Sequence, residues 1–162
     1  MFKVNDTIMY GTQGVCKIVE ITQKDFMGDK KDYYVLKPVN DKGATLFAPV
    51  NVKAGNKMRR ILTKEEVHDL IARMPEEEIE WIPGVNLRKE TYKKIISNGD
   101  HIELIRMIKT LHVQREKRES EGKHLYLSDE RFLKEAERIL CEEFQYVLKL
   151  NKEELIAEII KK

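Results

Sequence analysis

The feature that most constrains the fold of this chain is a change of residue pattern at Thr63. Before it, short runs rich in β-branched and aromatic residues alternate with glycine-containing turns, at residues 6–10, 15–24, 31–38 and 44–50. Such runs predict closely spaced antiparallel strands. After Thr63, apolar residues recur every three or four positions, as in amphipathic helices. The 162 residues therefore predict an α+β protein, with a β domain over 1–62 and an all-helical domain over 63–162.

Within the β domain, four or five short antiparallel strands with tight turns predict a small, strongly bent barrel of the SH3 or Tudor type. Within the helical domain, several helix starts carry residues whose side chains can bond the free amides of the first turn. The predicted caps are Thr63, Asn86, Asp100, Ser128 and Asn151. A further short helix is predicted from Pro75, because proline suits the first helical turn.

The charge of the chain is divided unevenly between the two predicted domains. Residues 1–62 hold 11 Lys/Arg and 6 Asp/Glu, a net charge of +5, whereas residues 63–162 hold 19 and 22, a net charge of −3. The helical part is not basic as a whole, so any contact with nucleic acid there must be local. The chain lacks both an apolar run long enough to cross a bilayer and a signal-peptide pattern, and we expect a cytoplasmic protein without a membrane partner.

No pattern in the sequence indicates catalysis. The four histidines have no spacing that predicts a metal site, and no phosphate-binding glycine loop or nucleophile elbow is present. Cys16 and Cys141 fall in different predicted domains and are interpreted as small core residues, not as a disulfide or as nucleophiles. We therefore predict no enzyme activity, cofactor, metal or small-molecule substrate.

Trp81 and two basic clusters are the candidates for function. Trp81 is the only tryptophan, and it either caps the helical core or forms an exposed apolar wedge that stacks on DNA. The residues of the two clusters could face a phosphate backbone or could simply form solvated surfaces. The first cluster comprises Arg88, Lys89, Lys93 and Lys94, and the second comprises Arg115, Lys117, Arg118 and Lys123.

Taken together, several segments resemble the CarD/CdnL family of bacterial transcription regulators. The segments FKVNDTIMYGTQGVCKIVEI, GDKKDYYVLKP and ATLFAPV resemble its N-terminal polymerase-interacting domain, which transcription-repair coupling factors share. The tract from Glu76 to Asp100, which ends in ISNGD, and the later LSDERFLKEAERILCEEF resemble its helical domain. The resemblance covers nearly the whole chain.

The resemblance implies two contacts. The β domain would bind the β subunit of RNA polymerase by adding its sheet edge to a sheet of the polymerase. The helical domain would touch promoter DNA in the minor groove at the upstream edge of the melted region, where a tryptophan wedge stabilises the open complex. The implied polymerase-binding residues are Lys24, Asp25, Phe26 and Phe47, and the implied DNA-binding residues are Trp81, Arg88, Lys89, Lys93, Lys94 and Lys123.

This chain departs from the family pattern in both places. Lys24 and Phe47 occupy positions that are or can be arginine in other members, which predicts a more apolar contact. An insertion of about four residues separates Trp81 from Arg88, and an alignment anchored on ISNGD puts Val85 at the tryptophan position. A protein scaffold, in which the acidic helical domain recruits a second protein without touching DNA, is the alternative function.

Overall fold

A computed structural model describes residues 2–26, 28–50, 58–73 and 80–161, without the side chains of Thr12, Phe26 and residues 158–161. The chain divides into two compact units, Met1–Ile61 and Leu62–Lys162. The division falls one residue from the boundary predicted from the change of pattern. The first unit contains the strands and the second contains the helices, so the chain has the predicted α+β class.

The first unit is a five-stranded antiparallel sheet. Its strands are β1 (Thr7–Tyr10), β2 (Val15–Phe26), β3 (Asp29–Pro38), β4 (Leu46–Pro49) and β5 (Met58–Arg60). They lie in the order β4-β3-β2-β1-β5, so β4 and β5 form the two edges. The predicted segments correspond to the first four strands, and β5 makes the fifth. The Tudor-type closure of the sheet stays a prediction.

One face of the sheet carries the core of this unit. Ile18, Tyr34, Leu36 and Ala48 are buried together there, and their alternation along each strand places the intervening residues on the other face. The register shifts between Ile18 and Glu20, as at a β-bulge, which bends a strand and increases its twist. The core lies under the part of the β2–β3 hairpin away from its turn, where Val35 on the other face is also buried, whereas most residues nearer the turn are exposed on both faces.

The second unit contains five helices among its described residues. They are α1 (Lys64–Arg73), α2 (Val85–Asn98), α3 (His101–Ser120), α4 (Leu127–Leu148) and α5 (Lys152–Lys161). Their apolar stripes meet in one core, which includes Val67, Tyr92, Ile105, Leu140 and Phe144. The short helix predicted from Pro75 lies outside the described residues.

Three of the predicted helix caps are confirmed. Thr63 and Glu66 bond each other's backbone amides through their side chains, at 3.1 Å in both directions, which completes a capping box. Asp100 accepts a bond from the Glu103 amide at 3.0 Å, and Asn151 accepts one from the Glu154 amide at 2.8 Å.

Two predicted caps are wrong, each by two positions. Helix α2 begins at Val85 after Gly84, and α4 begins at Leu127 after Tyr126. Asn86 and Ser128 therefore lie inside the first turns. Neither helix has a side-chain cap bond. The first turn of each contributes one partner of the buried ion pair between Arg88 and Asp129. The C-terminal end of α2 is as predicted, with Gly99 in the left-handed conformation at φ 68°.

Candidate functional site

Two of the four side chains implied for polymerase binding lie together on the solvent face of the sheet. The ammonium nitrogen of Lys24 in β2 stands 5.7 Å from the ring centroid of Phe47 in β4, a cation–π distance. The register explains the contact: Glu20 pairs with Val35, and Val35 pairs with Phe47. Paired residues share a face, and Lys24 lies four residues along the strand from Glu20. Sequence separation alone does not reveal this contact.

The other two implied residues stand at the end of the same hairpin. Asp25 is exposed and, as the neighbour of Lys24 in the strand, points to the opposite face. Phe26 pairs with Asp29 beside the hairpin turn, and its side chain is outside the described ones. Lys24, Asp25 and Phe26 therefore lie near the hairpin turn and Phe47 lies farther along the sheet, opposite Val35. Only Lys24 and Phe47 form a described side-chain pair.

Strand β4 is an edge of the sheet. It pairs with β3 through Leu46, Phe47, Ala48 and Pro49, and no other described strand lies beside it. Phe47 is 39% exposed on its solvent face. An edge strand can accept a strand from a partner through main-chain hydrogen bonds, with neighbouring side chains providing selectivity. Pro49 has no N–H to donate, which limits such pairing to the residues before it.

In the helical unit, Arg88 is buried in the interior, whereas the prediction placed it on the surface that faces DNA. Its side chain is 1% exposed, and its Nε and Nη2 atoms donate to the two carboxylate oxygens of Asp129 at 2.9 Å each. Its Nη1 atom donates to the carbonyls of Ile82 and Pro83 at 3.0 and 3.4 Å. The prediction that Arg88 contacts a DNA phosphate therefore has to be corrected, because the guanidinium is buried and bonded within the protein.

Trp81 is half-buried and packs against the core of the helical unit. The guanidinium carbon of Arg88 lies 4.4 Å from its ring centroid, so Trp81 and Arg88 are neighbours, as expected. The expectation that the ring is largely exposed is not met, because Arg88 and the core cover part of it. Trp81 thus combines the two readings of the sequence: part of its ring packs in the core, and the rest faces solvent.

Tyr92 lies one turn after Arg88 on α2 and is buried with its ring edge-on to Phe132, at 5.8 Å between centroids. Burial, and then the nearby Asp129 carboxylate, raise the pKa of Tyr92 to about 12, while Arg88 acts in the opposite direction. Residues 88 and 92 therefore mark the core-facing side of α2. The sequence alone does not reveal this. An arginine is almost never fully buried unless it is paired, and the partner of Arg88, Asp129, lies 41 residues away in the sequence.

The lysines of the first cluster lie on other sides of α2. Lys93 and Lys94 are exposed and Lys89 is half-buried. Lys89 and Lys93 are four residues apart and so are neighbours on the helix surface. These three lysines, without Arg88, are the residues of the predicted cluster that can reach a phosphate backbone.

The residues of the second basic cluster differ in whether they are bonded within the protein. Arg115 bonds Glu130, with Nη2 at 2.7 Å from Oε2. Arg118 lies 4.3 Å from the ring centroid of Tyr126 and donates to the carbonyl of His124. Lys123 is exposed. Tyr126, which the sequence did not single out, also has the Arg88 guanidinium carbon 5.6 Å from its ring centroid.

The described histidine pairs are structural. His101 lies 2.9 Å from Glu143, whose other oxygen accepts the Leu62 amide at 2.9 Å. His112 lies 2.8 Å from Glu137. Across the described ranges, no group of three or more His, Cys, Asp or Glu residues could hold a metal ion. Nor does any helix in the described part of the chain have the length and apolar character needed to cross a membrane.

Comparison with known proteins identifies the sheet unit. Residues 2–62 match the family model of the CarD-like/TRCF RID domain. A comparison with curated proteins finds no significant match. The matched segment covers β1 to β5, including Lys24 and Phe47. The chain is therefore a transcription-related protein whose residues 2–62 belong to the CarD-like family of RNA-polymerase-interacting domains.

Proposed function

We propose that this protein is a non-enzymatic transcription regulator that binds the β subunit of RNA polymerase through its sheet. In the same proposal its helical unit contacts promoter DNA at the upstream edge of the melted region and stabilises the open complex. The observation that carries the proposal is the family match of residues 2–62. The side-chain positions described above supply candidate residues for binding polymerase and for binding DNA.

For the polymerase contact, the candidate surface is strand β4 with the Lys24–Phe47 pair beside it. The edge strand offers main-chain groups for strand addition. The Phe47 ring offers exposed apolar area, and Lys24 holds a positive charge over it. The net charge of +5 over residues 1–62 favours a partner surface with acidic character. Asp25 and Phe26 stand at the end of the same hairpin, with Asp25 on the face opposite Lys24.

For the DNA contact, the candidate residues are Trp81, Lys89, Lys93, Lys94 and Lys123. The lysines would bind phosphates, and the uncovered part of the Trp81 ring would touch a base step at the junction between duplex and single strands. The net charge of −3 over residues 63–162 makes this contact weak without polymerase, since few phosphates are neutralised. Polymerase would then supply the local concentration.

The test of the polymerase contact is capture of the isolated polymerase β lobe by immobilised protein. We expect Lys24→Glu combined with Phe47→Ala to reduce capture strongly, because both side chains are exposed and neither belongs to the core. Lys3→Glu combined with Val4→Ala is the matched control, because it changes an exposed lysine and an exposed apolar residue elsewhere in the unit. Equal capture by the two double variants would refute the assigned surface.

A scaffold without DNA contact is the second candidate, and the burial of Arg88 favours it. The residue expected to bind a phosphate is bonded to Asp129 instead, and the surrounding unit carries net negative charge. The two candidates differ in salt dependence. A gel shift with forked promoter DNA must weaken as salt rises if lysines displace counterions from phosphates, whereas a scaffold gives no shift at any salt concentration.

A further inference from the structure

Arg88 contacts both the Trp81 ring and the backbone that follows it, and we propose that Arg88, fixed by Asp129, is a positioning residue that orients Trp81. This inference rests on the proposed DNA contact of Trp81. It gives Arg88 a function in that contact although its guanidinium is bonded within the protein. Asp129, which no motif in the sequence singled out, shares the function.

Trp81 lies in a segment without regular secondary structure. The described residues 80–84 contain no helix or strand, and α2 begins at Val85. No ladder of backbone hydrogen bonds holds such a segment, and side chains on connecting segments are as a rule more mobile than those on helices. Trp81 packs against the core with part of its ring. A second restraint is required to hold the rest of the ring in one orientation.

Arg88 provides this second restraint from the first turn of α2. Its guanidinium carbon lies 4.4 Å from the ring centroid of Trp81, within cation–π distance. Its Nη1 atom donates to the carbonyls of Ile82 and Pro83 at 3.0 and 3.4 Å. Hydrogen bonds from a charged donor are stronger than those from a neutral one. One guanidinium therefore restrains the ring of Trp81 and the two residues that follow it.

Asp129 determines how the guanidinium is oriented. Both of its carboxylate oxygens accept bonds at 2.9 Å, one from Nε and one from Nη2 of Arg88. A bidentate pair fixes the plane of a guanidinium as well as its position. With that plane fixed, the third nitrogen faces the carbonyls before α2. The orientation of Trp81 thus depends on a carboxylate in the first turn of α4.

Stability alone is a poor explanation for this buried pair. Taking two charges out of water costs about as much free energy as their attraction returns, and apolar residues of similar volume often stabilise a core equally well. Apolar residues at positions 88 and 129 could still pack α2 against α4. They could not donate hydrogen bonds to the carbonyls of Ile82 and Pro83. The pair therefore provides directed bonds to the segment that carries Trp81, which packing does not.

The first experiment measures the motion of the Trp81 ring. Trp81 is the only tryptophan, so the decay of its fluorescence anisotropy in the full chain reports this ring alone. We expect no large nanosecond component from local ring motion in the wild type. Arg88→Lys should add such a component, because lysine keeps the charge but not the bidentate, stacked geometry. A wild-type ring that already moves freely would overturn the proposal without any variant.

The second experiment measures binding to forked promoter DNA at low salt. Asp129→Asn removes a negative charge, so electrostatics alone predicts tighter binding to a polyanion. Positioning predicts the opposite, a loss that approaches the one in Trp81→Ala, which is roughly 5- to 150-fold if one base–aromatic contact is lost. In the Trp81→Ala background, Asp129→Asn should weaken binding no further, because the pair acts through Trp81.

Arg138→Lys is the matched control. It makes the same substitution in an arginine that pairs with two carboxylates, those of Glu135 and Glu142. Arg138 lies about 13 Å along α4 from Asp129, at a rise of about 1.5 Å per residue. We expect this variant to keep the wild-type ring motion and the wild-type affinity for the fork. Equal effects of Arg138→Lys and Arg88→Lys would overturn the specific role of Arg88.

The outcomes separate this inference from the proposed function. A wild-type chain that does not bind the fork, with or without polymerase, refutes the DNA contact and leaves Arg88 and Asp129 no role in it. A wild-type chain that binds the fork, with a folded Asp129→Asn variant that binds equally well or more tightly, overturns only the positioning. If Asp129→Asn does not fold, Arg88→Lys replaces it in the titration, with the same expected loss.

Discussion

Arg88 and Asp129, 41 residues apart in the sequence, form a bidentate ion pair that is almost completely removed from solvent. The pair joins α2 to α4, and the remaining Arg88 nitrogen bonds the carbonyls of Ile82 and Pro83. Trp81 lies on the guanidinium. The position of the proposed wedge therefore depends on a carboxylate in a distant part of the chain.

Asp129→Ala should destabilise the helical unit by about 3–5 kcal/mol, because it leaves the Arg88 charge buried without a partner. Chemical unfolding followed by helical circular dichroism measures this. The control is Glu135→Ala, which breaks the exposed Arg138–Glu135 pair and should cost less than about 1 kcal/mol. Similar losses of unfolding free energy in the two variants would contradict the expectation that the buried Arg88–Asp129 pair stabilises the unit more than an exposed pair does.

Trp81→Ala should destabilise the helical unit by roughly 1–3 kcal/mol, less than the 3–5 kcal/mol typical of fully buried aromatic residues, because its ring is half-buried. Trp81→Phe should recover part of this loss. Since Trp81 is the only tryptophan, its fluorescence reports its surroundings directly. We expect Asp129→Asn to shift that emission while the helices remain folded, and an unchanged spectrum would contradict the link through Arg88.

Stability should fall in alkaline solution, with the loss beginning near pH 9 and continuing to about pH 12. Burial raises the pKa of the Cys141 thiol from 9.0 to about 12, and burial raises the pKa of Tyr92 from 10.0 to about 12. At a pH between a group's ordinary pKa, which holds in the unfolded chain, and its raised pKa in the folded chain, the unfolded chain has released a proton that the folded chain still holds. Rising pH therefore favours unfolding. Melting temperatures measured across this range test the prediction.

Two variants identify the groups responsible for the alkaline loss. Cys141→Ala should remove the part of the decline that begins near pH 9, and Tyr92→Phe the part that begins near pH 10. Both side chains are buried, so either substitution can change stability at every pH. Each variant is therefore compared with its own stability at neutral pH. A decline of unchanged steepness in the double variant would assign the effect to other groups.

The two units should be separable. We expect limited proteolysis to release a fragment close to residues 62–162, which keeps the Leu62–Glu143 bond and the Thr63–Glu66 capping box. A recombinant chain of residues 62–162 should show the helical circular dichroism signal that the same residues contribute to the full protein. A fragment that begins at residue 67 lacks both contacts and should melt at a lower temperature. Failure of residues 62–162 to fold would contradict the division.

Local chemistry explains why much of the fold could be predicted. The strands, the helices and three caps depend on residues close together in sequence, as with Thr63 and Glu66 or Asp100 and Glu103. Two helix N-caps lie two residues before the predicted ones, at Gly84 and Tyr126, and neither has the side-chain cap bond that the local residue pattern predicted. The family resemblance of the N-terminal region was confirmed by the match of residues 2–62, while the site residues stay predictions.

The sequence by itself determined the two-unit α+β organisation, the family of the sheet unit and a short set of candidate residues, because periodicity, turns and motifs are local. Only the tertiary structure decided which candidates face solvent. Arg88 and Lys89 are adjacent in the chain, yet one is buried against Asp129 and the other lies near the surface. The side of a helix that becomes the core depends on what packs against it, and for α2 that partner is α4, with its carboxylate at Asp129.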